Sequence, residues 1–387
     1  MERKELTEKE RLDALDNAIA IIRRNLPTYT YKCQQTNTEN GIYEAIDNIE
    51  WTTGFWPGEL WLAYLNTGDE LFAHAGGIFV ENFKKRIETK TAVNHHDMGF
   101  LYTPSCIAAW TIKKDCHARE AAIKAADQLI SRFQEKGQFL QAWGDLGAKD
   151  NYRYIIDCLL NLPLLYWASD ETGDQKYRDI AIRHTETCVK YSFRADYSSY
   201  HTFFMDPETG APVRGETCQG YKADSSWARG QAWGVYGLAL AYRHIGDKKY
   251  LNLFEHVAKY FMDKLPDDLI PYWDLIFTNG DEPRDSSSAS IVACGFLEAA
   301  TSYEKLGKYN KAVKYRRLAK QLLKAVYDTC MVNKDEYEIN GLVKHGTYSK
   351  KSPYNTCTPA GVDECVSWGD YYWMEALTRL GGWKSWW

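Results

Sequence analysis

The 387-residue chain is 45% hydrophobic and 26% charged, a balance that builds a folded globule and excludes a disordered segment. Its formal net charge of −5 argues against a nucleic-acid partner, since phosphate binding needs a basic face. No run of about 18 apolar residues occurs, so no membrane partner or span is expected.

The N-terminal stretch MERKELTEKERLDALDNAIAII lacks the basic start, apolar stretch and small-residue cleavage site of a secretory signal. It opens a helix with Leu12, Leu15, Ile19, Ile22 and Leu26 on one stripe, expected to end before Pro27. Beyond it a local pattern recurs six times: a polar, aromatic loop, a mostly apolar helix, then a polar turn. The copies begin at Trp51, Gly99, Asn151, Ser225, Ser286 and Glu364. Gly68, Gly173, Gly246 and Gly307 sit just past helix ends, where a left-handed residue is wanted. Between the copies lie amphipathic helices, such as Tyr250, Phe254, Val257, Phe261 and Leu265 before Pro266. Strand signal is nearly absent.

A helix apolar all round must be buried by other helices. Six such helices, each followed by an amphipathic one, close into an inner ring within an outer ring. The expected fold is therefore all-α, an (α/α)6 barrel with six inner and six outer helices, in a single domain over 1–387. A linear solenoid is the alternative; irregular spacing and the lack of a short consensus favour the barrel. Ten cysteines occur without a CxxC pair, several in apolar helices, where a reduced thiol is the default. A cytoplasmic protein, monomeric or weakly homo-oligomeric, is expected.

Parallel inner helices bring the loops that lead into them to one mouth. Those loops carry Trp51, Trp56, His95, His96, Asp97, Trp143, Asp157, Trp227, Arg229, Trp233, Ser286 and Trp368. The 14 Trp and 27 Tyr suit stacking on sugar rings, although many must simply pack between helices. There is no nucleotide loop, HExxH or zinc-type cysteine pair, so neither metal nor cofactor is expected. Asp157 stands in an otherwise apolar helix, where an acid is costly unless useful. It is either a proton donor with a raised pKa or a partner of Arg153 one turn earlier. Asp97, in HHDMGF, is a second carboxylate or a helix N-cap. Arg229, between Trp227 and Trp233, suits a sugar carboxylate or a buried pair with an aspartate. His201 and Gln219 lie in loops and can bond hydroxyls.

The stretches WTTGFWPGELWLAY, HHDMGFLY, IIDCLLNLPLLYWA, DSSWARGQAWGVYG, RDSSSASI and WGDYYWMEAL resemble the unsaturated glucuronyl hydrolases, glycoside hydrolase family 88. They cover most of the chain from about residue 40, in the family's order. The resemblance implies the same barrel, no metal, a general acid/base at Asp157 and a second carboxylate at Asp97. It implies substrate contacts at Trp51, Trp143, His201, Gln219, Arg229 and Trp233; His96, Ser349 and Ser352 are expected as further substrate contacts. The implied partner is a di- or oligosaccharide ending in a 4,5-unsaturated glucuronic acid. Some family members favouring sulfated disaccharides carry Ser-x-x-Ser-x-Lys near the C-terminus. Here Ser349 and Ser352 are present in SKKSPY, but Tyr354 stands where lysine falls, with Lys350 and Lys351 nearby. The rival readings are an unsaturated galacturonyl hydrolase acting on pectin fragments, and a sugar epimerase on the same barrel.

Overall fold

A computed structural model describes residues 3–387. Six inner helices run Phe55–Thr67, 98–113, Pro163–Thr172, Ala228–Ile245, Ser286–Lys305 and Ser367–Leu380. Six outer helices run Glu8–Tyr29, Glu70–Glu88, Cys116–Ile130, Gln175–Tyr191, Lys248–Asp263 and Tyr309–Thr329. This is the expected (α/α)6 barrel. Among the described residues, no helix is long and apolar enough to cross a membrane.

A short turn chemistry fixes the alternation. Gly68, Gly173 and Gly246 end three inner helices in the left-handed region, at φ +69°, +78° and +84°, where a Cβ is disfavoured. The next residue, Asp69, Asp174 or Asp247, accepts a backbone N–H of the following outer helix and caps it. Two residues thus reverse the chain, so each outer helix packs antiparallel to the inner helix before it. Along the Ser286–Lys305 helix, 17 residues are buried, against six on the neighbouring Tyr309–Thr329 helix. That asymmetry is the difference between burial on all sides and burial on one stripe.

Three local expectations need correction. The first helix continues through Pro27 to Tyr29, because a proline in the final turn forfeits only one intrahelical bond. Among the described residues nine short strands are present, forming antiparallel hairpins and a three-stranded sheet. They are two to seven residues long and mostly polar, as in CQQTNTE at Cys33–Glu39, so no alternating apolar run announces them. Asp157 lies in a 3-10 turn, Ile156–Leu160, ahead of the helix that Pro163 starts. It belongs to the mouth rather than to the helix wall.

The inner helices approach closely at the mouth. A Cβ on Gly99 would lie 2.3 Å from Asn161 Cα, and one on Gly54 would lie 2.2 Å from the Phe100 carbonyl oxygen. Backbone cannot yield as a side chain can. Gly99→Ala is therefore expected to cost at least about 1–3 kcal/mol of stability, read as a lower thermal midpoint, with activity falling alongside. Gly77→Ala, in an outer helix with nothing within 4 Å of the new Cβ, is expected to stabilise by about 0.5–1 kcal/mol. Equal effects of the two substitutions contradict the close-approach argument.

Candidate active site

The loops at the N-terminal ends of the inner helices enclose a cavity of about 610 Å³. Trp51, His96, Asp97, Trp143, Asp157, His201, Gln219 and Ser349 all line it. Residues spread over some 300 positions of sequence thus share one wall, as parallel inner helices require.

Asn161 ties the two aspartates together. Its side-chain amide donates to Asp97 Oδ1 at 3.5 Å and to the Asp157 carbonyl at 3.4 Å, while its Oδ1 accepts the Phe100 N–H at 2.9 Å. Asp97 stands at the first turn of the 98–113 helix, yet its side chain makes no capping bond. It faces His95 Nδ1 at 3.1 Å and His96 Nε2 at 3.2 Å instead. Burial alone raises the Asp97 pKa. The adjacent His96 and the bonds from His95 and Asn161 outweigh it and hold this carboxyl below its ordinary value. Burial drives His96 down to about 4, against the pull of Asp97, so its ring is neutral at neutral pH.

Asp157 has the opposite poise. Burial first, and the Asp97 charge second, push its pKa up to about 8. Arg229 and the Trp233 indole temper that rise. The Trp233 Nε1–H does not complete a hydrogen bond, and Asp157 Oδ1 is buried without a partner. The side chain as a whole is only partly enclosed and opens onto the cavity. Asp157 forms no ion pair with Arg153, whose guanidinium lies 4.7 Å from the Trp143 ring centre. A protonated acid beside an ionised one is the arrangement of a proton donor that works at neutral pH.

His201 is set up as a neutral donor. Its Nδ1 accepts the backbone N–H groups of Cys218 at 3.0 Å and Gln219 at 3.2 Å, which leaves the ring proton on Nε2. Burial and the charges of Arg229 and Arg153 hold its pKa well below the ordinary value. Gln219 donates its amide to the Tyr348 carbonyl at 2.9 Å. Trp51 stacks on Trp368 at 5.3 Å and donates to the Tyr348 hydroxyl at 3.2 Å.

Three residues expected to touch substrate lie elsewhere. Arg229 is 1% exposed and outside the cavity lining. Its guanidinium sits between the indoles of Trp227 and Trp368, at 4.3 and 4.4 Å. It pairs with fully buried Asp285 at 3.3 Å and donates to the carbonyls of Thr347 at 2.6 Å and Tyr348 at 2.7 Å. The arginine thereby holds the Gly346–Ser349 strand over the mouth. Trp233 is fully buried behind Asp157. Ser352 is also off the lining: its hydroxyl donates to the Tyr221 carbonyl and accepts the Tyr354 and Asn355 N–H groups. Arg229 and Ser352 are committed to polar protein partners, and the Trp233 ring packs on Phe100 and Tyr372 with its indole N–H unpaired. Conversely, Glu50, Cys218, Tyr348 and Cys357 line the cavity without having been singled out. They come from strands and loops whose only signal was proximity to Trp51, Gln219 and Ser349.

The Glycosyl Hydrolase Family 88 profile matches residues 26–380. The chain belongs to this family. The family 88 enzyme is 45% identical over 383 residues to the unsaturated chondroitin disaccharide hydrolase of Streptococcus pneumoniae (strain ATCC BAA-255 / R6), covering 98% of this chain and 94% of that one. A crystal structure of unsaturated glucuronyl hydrolase from Streptococcus agalactiae superimposes with a TM-score of 0.93 at 43% identity, covering 99% of this chain and 95% of that one. A variant of the same Streptococcus agalactiae enzyme, complexed with dGlcA-GalNAc6S, gives a TM-score of 0.86 at 39% identity, covering 100% of this chain and 95% of that one. The family 88 enzyme is a glycoside hydrolase of the unsaturated glucuronyl type.

Three outcomes are expected from this geometry. The pH profile of kcat/KM falls as pH rises through about 8, where Asp157 loses its proton. Removing the neighbouring charge with Asp97→Asn lowers the Asp157 pKa, so the alkaline limb moves to lower pH; a limb that stays or moves upward contradicts the coupling. Arg229→Ala leaves Asp285 buried and uncompensated, at a cost of about 3–5 kcal/mol, measured by denaturant unfolding. Unchanged stability with weakened saccharide binding assigns the arginine to substrate instead.

Proposed function

We propose that this enzyme removes a 4,5-unsaturated glucuronic acid from the non-reducing end of short glycosaminoglycan-type oligosaccharides, unsaturated chondroitin or hyaluronan disaccharides above all. The observation that carries the reading is the pair of opposed carboxyls: Asp157 raised to about 8 and Asp97 held below its ordinary value in one aromatic-walled cavity. The chondroitin disaccharide hydrolase relative and the dGlcA-GalNAc6S complex support the substrate class.

The chemistry follows from the substrate. Its ring oxygen is attached to the C4=C5 double bond, forming a vinyl ether. Asp157 gives its proton to C4, and positive charge develops at C5, shared with the ring oxygen. The Asp157 carboxylate then takes a proton from the water that adds to C5. The resulting hemiketal opens: the bond from C5 to the ring oxygen breaks, leaving a keto acid. C1 becomes a hemiacetal that expels the remaining sugar as an alcohol. One residue serves both proton transfers and ends as it began. The ionised Asp97 keeps Asp157 protonated between turnovers, and His96 accompanies it as a neutral ring. Trp51 and Trp143 offer faces for the sugar rings. His201 offers a neutral N–H, and Gln219 and Ser349 offer polar atoms at the rim.

Sulfate has little provision. Tyr354 packs edge-on against Tyr221 at 5.5 Å. Lys350 pairs with Glu282 at 2.7 Å and Lys351 donates to the Asn355 carbonyl at 2.6 Å. The cations near Ser349 and Ser352 are therefore already engaged, and unsulfated disaccharides are the preferred substrates in this reading.

The test is loss of the C=C ultraviolet absorbance on a panel of unsaturated disaccharides. Chondroitin and hyaluronan disaccharides are expected to react fastest, with the 6-sulfated chondroitin unit slower. Preference for an unsaturated galacturonyl pectin fragment replaces the substrate class, and product formation with undiminished absorbance points to an epimerase. Asp157→Asn should lower kcat by about 10²–10⁴-fold. In ¹⁸O-water, product quenched after one turnover should carry the label at C5; label at C1 establishes ordinary glycosidic hydrolysis and removes Asp157 from its double role.

A further inference from the structure

Two cysteines meet at the rim of the cavity. Cys218 follows the Pro212–Glu216 strand, and Cys357 lies in the loop between the Gly346–Ser349 and Ala360–Glu364 strands. Both line the cavity. The segments that carry them run side by side in opposite directions. Ser352 donates its hydroxyl to the Tyr221 carbonyl at 2.5 Å, and Asn355 its amide to the Gly220 carbonyl at 2.9 Å. Cys357 then donates its backbone N–H to the Cys218 carbonyl at 3.2 Å. In this register Cys218 and Cys357 are directly opposed.

Opposed residues of an antiparallel pair put their side chains on one face, with Cα atoms about 5.5 Å apart when the backbone bond is made. A disulfide closes at that separation without moving backbone. Both thiols are free. The Cys357 S–H rests on the Lys350 carbonyl at 3.3 Å, a weak bond that one side-chain rotation gives up. Of the other eight cysteines, seven are buried outside the cavity lining and Cys116 is exposed at the start of an outer helix. Cys218 is half-buried, so an oxidant at the mouth reaches it first. Burial pushes the Cys357 thiol up, which keeps it protonated until its partner is activated.

We propose that Cys218 and Cys357 form an oxidation site, a dithiol that a peroxide converts into a reversible disulfide and that thereby weakens saccharide binding. The Cys218 sulfur attacks the peroxide, the O–O bond breaks, and a sulfenic acid and one water result. The Cys357 sulfur then attacks the sulfenic sulfur. The S–S bond forms, the S–O bond breaks, and the hydroxyl leaves as a second water with the Cys357 proton. The two thiols lose two electrons in all, and the peroxide takes them. Cys218 and Gln219 supply the backbone N–H groups that fix His201, so a covalent pull on Cys218 reaches the sugar-binding wall. Asp97 and Asp157 stand on other segments, so the proton transfers are left intact. Only the activity readout rests on the reaction proposed above.

The test treats the intact, reduced enzyme with hydrogen peroxide and maps its cysteines by mass spectrometry. A Cys218–Cys357 cross-link that dithiothreitol removes is expected. On an unsaturated chondroitin disaccharide, oxidation should raise KM by about two- to tenfold, the worth of one hydrogen bond, with kcat little changed, and dithiothreitol should reverse the rise. Cys218→Ser and Cys357→Ser should each abolish the cross-link, and peroxide-treated and untreated Cys218→Ser enzyme should share one KM. Peroxide that leaves both thiols free, halts at a Cys218 sulfenic acid, or joins only Cys116 between molecules overturns the inference. A cross-link formed at constant KM overturns its coupling to saccharide binding. The cross-link is read by mass alone, so failure to cleave any unsaturated saccharide counts against the parent reading and not against the dithiol.

Discussion

The contact of Gly99 against the backbone of Asn161 sets the geometry on which the site depends. It exists because glycine presents no Cβ and because two inner helices start at the same level of the barrel. With the chains that close, one amide side chain can bond Asp97, the Asp157 carbonyl and the Phe100 N–H together. Two carboxyls held near one another in an aromatic enclosure cannot both ionise cheaply. The one with more hydrogen-bond donors keeps its charge, and the other keeps its proton. Catalytic poise is therefore a consequence of packing.

A buried ion pair plays a separate part. Arg229 and Asp285 are both removed from water, which is costly unless the charges are well satisfied. Two indoles flank the guanidinium, two backbone carbonyls accept from it, and the Ser287 and Ser288 hydroxyls donate to the aspartate at 2.5 and 2.9 Å. The same carbonyls belong to Thr347 and Tyr348, so the pair fixes the hairpin that roofs the cavity. A charge suited by composition to a substrate anion is spent here on holding the mouth in shape.

Aromatic packing connects the site to the opposite end of the barrel. Trp387 stacks on Tyr372 at 6.0 Å and meets Phe100 edge-on at 6.3 Å. Phe100 in turn touches Trp51 at 5.6 Å and Trp233 at 5.2 Å. Below this stack, Glu375 accepts from Tyr236 at 2.5 Å and from the Trp387 indole at 2.6 Å. Much of the aromatic excess thus fills the barrel interior, and a smaller share faces the cavity. The inner helices gain a rigid filling against which the loops can hold fixed positions.

The sequence by itself determined the ring of paired helices, because apolar helices alternating with one-sided ones have few other ways to bury their surfaces. It also determined the helix-to-helix turns, through local Gly-Asp chemistry, and it singled out Asp157 as an acid in apolar company and Asp97 as a candidate second carboxylate. Tertiary structure decided what no local pattern encodes. The short polar hairpins and loops at the mouth carry no periodic signal, so Tyr348 and Glu50 were invisible. Nor does a motif say whether a side chain points at substrate or at a neighbour. Arg229, Trp233 and Ser352 all sit in or near motif stretches, yet each turns toward protein. The opposed pKa values of the two aspartates likewise depend on which donors reach which oxygen, and that is settled only when distant segments meet.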